Sequence, residues 1–444
     1  MPVKRERSIE SLQVVADAEG LSSRAGTALV AGVADRVGLT AALSEALRDL
    51  RQRRSRHDPG RVVRDLALML ADGGDCLSDL RALRDQPTLF GVVASDATAW
   101  RAIAALDERR LAQVRAARAS ARERVWKQAG APRRVILDID GTLVTAHSEK
   151  EGAAGTYKGG FGFHPLLCYE AETGEGLAGR LRPGNAGFNT AQDHIELFEQ
   201  ALAQLPERAL TPGLLVRCDR GGATHAFLDH LAARGVRFSV GLDLTQPVRE
   251  AILALPERAW QPAAAQDGDD REGAWVAELA LDLAAWPEGT RALCRRERPH
   301  PGAQLSFTDQ NGYRFQVFLT NQQGARIARL EQLHRARAAC EDRIRCAKES
   351  GLRNLPFRDL QPNAAWLELV LIGQDLLRWT QRLLLAGTEL ARCEPKRLRY
   401  RLLHVAGRLT RHARRLVLHL PREWPWRREL LVAFQRLRLL PHPP

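Results

Sequence analysis

The chain has 444 residues, 45% of them hydrophobic and 27% charged, and its 66 Lys and Arg against 53 Asp and Glu give a formal net charge of +13. That length excludes a small module held together by disulfides or structural metal and allows about three domains. The arginine-dominated positive charge excludes an acidic surface and favours a polyanionic partner, although an arginine-rich coding bias would produce the same excess.

The seven cysteines are scattered without a Cys-x-x-Cys pair, which fits reduced thiols and not a disulfide frame or a zinc knuckle. Met1 to Glu10 is charged where a signal peptide needs an apolar run. No apolar stretch approaches a membrane span, so the expectation is a soluble, cytoplasmic protein without a membrane partner.

In chain order, residues 1–130 read as a helical, basic domain. Thr27 to Leu50 and Arg61 to Leu83 carry apolar residues at three- and four-residue steps, punctuated by His57-Asp58-Pro59-Gly60 and Ala71-Asp72-Gly73-Gly74. Two arginine clusters, Arg51, Arg53, Arg54, Arg56 and Arg115, Arg118, Arg122, fit solvated helix faces or phosphate contacts equally well. From residue 131 the pattern changes to short β-rich runs: Val135 to Asp140, Leu166 to Tyr169 and Leu177 to Leu181. A helix over Ala191 to Leu205 follows, then a strand Leu214 to Asp219, a helix His225 to Arg234 and a strand Val236 to Val240.

Three successive strands followed by alternating strand and helix is the order of an α/β, RNase-H-like domain, and other α/β folds remain compatible. That core is read in two parts, 131–244 and 321–363. A β-rich insertion at 245–320 separates them, with strands at Trp275 to Leu281, Arg291 to Arg296 and Tyr313 to Leu319. A helix from Ala325 to Lys348 should stop at Ser350-Gly351. Residues 364–444 read as a basic helical C-terminal region, including a helix from Glu394 to Arg415.

Chemistry concentrates at three places. Leu137-Asp138-Ile139-Asp140-Gly141-Thr142 is an apolar strand delivering two carboxylates to one face at its C-terminal end, where α/β folds place their sites; the alternative is an Asp-Gly turn. Leu214 to Gly222 repeats the pattern with Asp219, whose alternative is a helix N-cap. His334, Arg337, Glu341 and Lys348 share one face of the predicted helix, which a solvated polar face would also produce. Three carboxylates at one point repel by several kcal/mol unless cations neutralise them, and hard divalent ions with oxygen ligands fit best: Mg²⁺, with Mn²⁺ able to substitute, as a pair of ions.

At these residues the sequence resembles the DDE transposases of bacterial insertion sequences, and specifically the insertion sequence 1380 family. The family's opening Asp-x-Asp-x-Thr stands here as Asp138-Ile139-Asp140-Gly141-Thr142, and its Leu-Arg-Pro-Gly-Asn as Leu181-Arg182-Pro183-Gly184-Asn185. Its second aspartate strand matches Val216 to Asp219, and the wider Tyr, Arg, Glu, Lys signature matches His334, Arg337, Glu341 and Lys348. Two positions depart from the pattern: His334 replaces tyrosine, and Arg220 follows the second aspartate.

The resemblance implies a catalytic and metal-binding triad of Asp140, Asp219 and Glu341, with Asp138 a further candidate ligand. It implies DNA contacts from His334, Arg337, Lys348 and neighbouring Arg345. The expected activity is cut-and-paste transposition on the element's terminal inverted repeats and target DNA by a homodimer associated with the nucleoid. Two other readings stand beside it. In a haloacid-dehalogenase-like phosphatase Asp138 would be the nucleophile and Asp267 to Asp270 the late acidic motif. An inactive transposase copy would only bind DNA.

Overall fold

The computed structural model describes residues 12–51, 56–299, 302, 309–310, 312–413 and 415–443; Met1 to Glu10, Arg53 and Arg54 lie outside them. The first part is helical as the periodicity predicts: α1 (Thr27–Arg36), α2 (Leu39–Ala46), α3 (Pro59–Asp72), α4 (Asp96–Ala104) and α5 (Glu108–Ala129). The expected Thr27 to Leu50 helix breaks at Gly38, whose φ of 74° suits glycine. Helix α3 starts where its sequence says it should. The Asp58 carboxylate accepts from the Arg61 amide at 2.9 Å, Pro59 sits in the first turn, and Gly73 ends the helix at φ 105°.

One mixed sheet dominates the middle of the chain. Its strands are β1 (Ile136–Gly141), β2 (Leu166–Glu170), β3 (Gly176–Arg180), β4 (Leu215–Cys218), β5 (Arg237–Leu242), β6 (Gln261–Ala264), β7 (Asp270–Leu279), β8 (Arg291–Glu297) and β9 (Tyr313–Thr320), in spatial order β6-β7-β8-β9-β5-β4-β1-β2-β3. Strands β1, β4 and β5 are parallel, and every other neighbouring pair is antiparallel. The strands expected in a β-rich insertion are therefore continuous with the core sheet: β9 pairs with β5 from Val317↔Leu242 to Thr320↔Ser239. Helices α6 (Ala191–Leu202), α7 (His225–Ala233) and α8 (Gln246–Leu253) follow strands β3, β4 and β5 in the chain.

The helix expected over Ala325 to Lys348 is two: α9 (Ile327–Arg335) and α10 (Ala339–Ala347), joined by a tighter turn at Ala336–Ala338. It ends as predicted, in a wide turn where Gly351 has φ 101° and a Cβ would lie 2.4 Å from Leu70. The long apolar α11 (Leu360–Leu384) is the central helix of the molecule. It packs so closely on α3 that a Cβ at Gly373 would stand 2.9 Å from the Ala67 carbonyl oxygen. One hydrophobic core runs from Leu29 through Leu137 to Trp366 and Leu430, so the helices before residue 130 and after 363 share it with the sheet.

Helix Glu394 to Arg415 does not form. A short turn at Pro395–Leu398 and a wide one at Arg399–Leu403 lead into a hairpin, Gly407–His412 with Arg415–His419, which Leu21–Ser22 extends. The β-branched and apolar run Leu416-Val417-Leu418, and Leu409 between Arg408 and Thr410, suit a strand, and the basic residues around them masked it. Helix α12 (Arg427–Leu439) closes the chain.

Arg118 and Arg122, read as solvent- or phosphate-facing, are fully buried. Arg118 Nε donates to Asp375 at 2.8 Å and its Nη1 to Glu368, while Arg122 donates to Asp375 and, at 2.8 Å, to Gln204. Asp375 also accepts the Gly176 amide at 2.9 Å, and Trp126 donates to Glu175 at 2.6 Å. The arginine spacing is helical because α5 lays this face onto α11 and the start of β3; Asp375, 257 residues from Arg118 and 253 from Arg122, gave no local signal.

Candidate active site

Strand β1 exists because Val135, Leu137 and Ile139 are buried, and its other face carries Asp138 and Asp140. The two aspartates have different fates. Asp138 lies beside Arg217 on parallel β4, and both its oxygens are taken: Oδ1 by Arg217 Nε at 2.6 Å and Oδ2 by Nη2 at 2.8 Å. Arg217 Nη1 reaches on to the Leu333 carbonyl at the end of α9. Buried and engaged at both oxygens, Asp138 is less open to a metal ion or a phosphoryl group than Asp140.

Asp140, two residues nearer the strand end, is half-buried and accepts from Arg337 Nη1 at 3.1 Å. Burial pushes its carboxyl up to about 6; Arg337 opposes the shift, while Asp219 and Glu341 add to it. Three segments far apart in sequence thus bring Asp140, Asp219 and Glu341 into one electrostatic neighbourhood. Asp219 follows β4 and caps the Arg220–Gly222 turn, its Oδ1 accepting the Gly221 amide at 3.0 Å. The cap reading and the site reading are compatible, since the cap uses one oxygen. Gly221 is required there because a Cβ would meet the Phe188 carbonyl oxygen at 2.7 Å. Glu341 projects, exposed, from the first turn of α10.

A cleft of about 710 Å³ opens beside Asp219 and Glu341, with Arg249, Arg271, Arg295, Arg335 and Arg337 among the residues lining it. The strands of the expected insertion, β7, β8 and β9, form part of its wall, so the sheet extension and the site are one structure.

The other expected contacts differ in place. His334 stacks flat on Phe318 with ring centres 4.3 Å apart and bonds the Ser239 hydroxyl at 2.9 Å. Burial and the nearby Arg337 push its pKa down to about 3, so it is a neutral, oriented ring lining the cleft. Lys348 Nζ donates to the Leu143 carbonyl at 3.0 Å, bracing the segment after Asp140. Arg345 turns toward the C-terminal region, pairing with Glu394 at 2.8 Å and more loosely with Asp342 and Glu349. Arg220 is exposed and paired with Asp243 at 2.9 Å, its guanidinium over the Phe188 ring. Arg217 was missed in the sequence, although an arginine inside the apolar run Leu214 to Cys218 signals a buried partner.

The donors are of the kind a hard divalent cation takes, carboxylate oxygens, with Asp140 raised first by burial and further by Asp219 and Glu341. The three do not draw within 4.8 Å of one another, a separation that Asp75, Cys76 and Asp79 do meet. That second group is a helix cap, since Asp79 accepts the Asp75 and Cys76 amides at 2.9 and 3.1 Å.

A family model described as transposase DDE domain group 1 matches residues 4–442, and the chain belongs to that family. No curated protein matches the sequence. Among solved structures, the piggyBac transposase synaptic complex with hairpin DNA, determined by cryo-EM, is similar at 10% identity and a TM-score of 0.43, over 82% of this chain and 78% of that one. Among the described residues no single helix is long and apolar enough to cross a membrane.

Proposed function

We propose that the protein catalyses metal-dependent cleavage and strand transfer of DNA, moving an insertion sequence of the 1380 family by cut and paste. The observation that carries the reading is that Asp219, at the end of β4, and Glu341, on α10, line one arginine-rich cleft and that both charges act on Asp140 of β1. The order β3-β2-β1-β4-β5 with only β1, β4 and β5 parallel supports an RNase-H-like core, within which strand ends β1 and β4 are adjacent.

In this reading Asp140, Asp219 and Glu341 hold two Mg²⁺ ions, for which Mn²⁺ can substitute. When bound, the ions activate a water or a 3′-hydroxyl and neutralise charge on the leaving oxygen. Arg337, paired with Asp140, stands where a phosphate would meet it, and its fork suits two oxygens at once. His334, kept neutral by burial and Arg337 and stacked flat on Phe318, presents a ring edge for a hydrogen bond to DNA. Lys348 holds the chain after Asp140 in place, and Arg345 serves DNA at the periphery.

The partners are the element's terminal inverted repeats and target DNA, bound by the basic N-terminal and C-terminal parts at 1–130 and 364–444. The working form is a homodimer on DNA, cytoplasmic and nucleoid-associated. Incubating the protein and Mg²⁺ or Mn²⁺ with a labelled duplex carrying the sequences that flank its gene should give nicks at the element's ends and joined products. A protein inert on such DNA that hydrolyses small phosphate esters instead would replace this reading with the phosphatase one, against which the engaged state of Asp138 already weighs.

A further inference from the structure

From Pro395 to Arg422 the chain carries nine Lys and Arg and no Asp or Glu, and the hairpin formed by Gly407–His412 and Arg415–His419 sits inside that stretch. Its two faces follow from the register. Arg408↔His419, Thr410↔Val417 and His412↔Arg415 stand opposite one another, and because side chains alternate along a strand these six share one face. Leu409, Arg411, Leu416 and Leu418 take the other.

The second face anchors the hairpin at its base. Leu409 and Leu418 are half-buried, and a Cβ at Gly407 would meet Leu418 Cδ1 at 2.8 Å and Ala25 Cβ at 3.0 Å. Leu21–Ser22 pairs along Arg408 and Gly407. The first face is open. Arg408, His412, Arg415, Val417 and His419 are exposed, and the Thr410 hydroxyl bonds His419 Nε2 at 2.9 Å. Toward the turn at Ala413 neither face is covered, since Leu416 and Val417, neighbours on opposite faces, are 48% and 39% exposed. Among the described residues no carboxylate pairs with Arg408, Arg411 or Arg415. Exposed arginines elsewhere do find one: Arg220 with Asp243 and Arg81 with Asp85, at 2.9 and 3.0 Å.

A two-stranded ribbon is one of the protein shapes that the major groove of a B-form duplex, about 12 Å wide, admits. The first face carries groups that read base edges there: guanidinium forks for guanine O6 and N7, a hydroxyl for either partner, and the Val417 methyls for a thymine methyl. Unbroken positive charge suits the phosphates on either side of the groove. We infer that this hairpin lays its Arg408 and Arg415 face in the major groove of duplex DNA and reads its sequence. The inference rests on the DNA reading above and deepens it, by assigning recognition of the element's end to residues that take no part in cleavage.

The test is binding of the full-length protein in EDTA, read by fluorescence anisotropy, to the duplex carrying the gene-flanking end and to an unrelated duplex of equal length. Wild type is compared with Arg408→Gln plus Arg415→Gln and with Arg408→Lys plus Arg415→Lys. Both side chains are exposed, so neither pair of substitutions removes a packing contact. Wild type should prefer the end. The glutamine pair should reduce that preference by on the order of tenfold or more, the scale of one forked contact to guanine. The lysine pair keeps the charge but not the fork, so it should bind unrelated DNA as wild type does and still lose the preference. Methylation of guanine N7, an atom of the major groove, should weaken wild type at particular positions of the end and add nothing at those positions for the glutamine pair. If both pairs keep the wild-type preference, or if each weakens binding to the two duplexes equally, the inference is overturned and the DNA reading stands. Wild type without preference for the end also overturns it, and the DNA reading falls with it if that duplex is not cut in Mg²⁺.

Discussion

At the residue scale, the contrast between Asp138 and Asp140 shows how two carboxylates on one strand face can do different work. Asp138 is a buried charge made tolerable by Arg217, so Asp138→Ala should destabilise the protein by roughly 3–5 kcal/mol by leaving Arg217 unpaired, whereas Asp138→Leu with Arg217→Met should recover much of that loss; thermal unfolding reads both. Glu170 gives the pH dependence. It is buried at the end of β2, and burial pushes its carboxyl up to about 7 from an ordinary 4.5 even though it accepts the Thr173 amide at 2.6 Å. The folded chain therefore keeps a proton that the unfolded chain releases, and stability falls as pH rises from about 4.5 to about 7, then stays level with respect to this group. Glu170→Gln should match wild type below that window and exceed it above, by up to roughly 3 kcal/mol, in denaturant melts across pH.

At the element scale, the junction of α5, α11 and the start of β3 is ionic where a purely apolar contact would have served. Asp375 accepts from Arg118, Arg122 and the Gly176 amide at once, so Asp375→Ala should cost roughly 3–5 kcal/mol and lower the midpoint of unfolding, with charge left unpaired among apolar side chains. Periodicity made most elements legible. Strands β1 to β5 and helices α6 and α7 fall within a few residues of the expected runs, because each is bounded by glycine, proline or an acidic cap. Long-range pairing was not legible. The insertion strands could be recognised one by one, but nothing local says that β9 joins the edge of β5. The Gly407 to His419 hairpin was hidden by arginines that interrupt a helical and a strand pattern alike. The candidate carboxylates Asp140 and Asp219 could be read from strand ends, while Arg217 and Arg182, defined by partners from 5 to 116 residues away, could not.

At the scale of the whole molecule, the +13 charge is not spread evenly in meaning. Part of it is spent internally, as in Arg118, Arg122 and Arg217, and part lines the cleft that ends at Asp219 and Glu341. DNA binding through the remaining arginines should weaken steeply with salt, by on the order of a thousandfold between about 50 and 200 mM if some six phosphates are neutralised, measurable by fluorescence anisotropy. The central claim is that Asp140, Asp219 and Glu341 act as one catalytic set and Asp138 does not belong to it. It is tested most directly by cleavage of the gene-flanking duplex in Mg²⁺ by wild type, Asp140→Asn, Asp219→Asn and Glu341→Gln, with end binding measured alongside. The account predicts cleavage in wild type and its loss in all three variants while end binding persists; a variant of any of the three that cuts at the wild-type rate would contradict it.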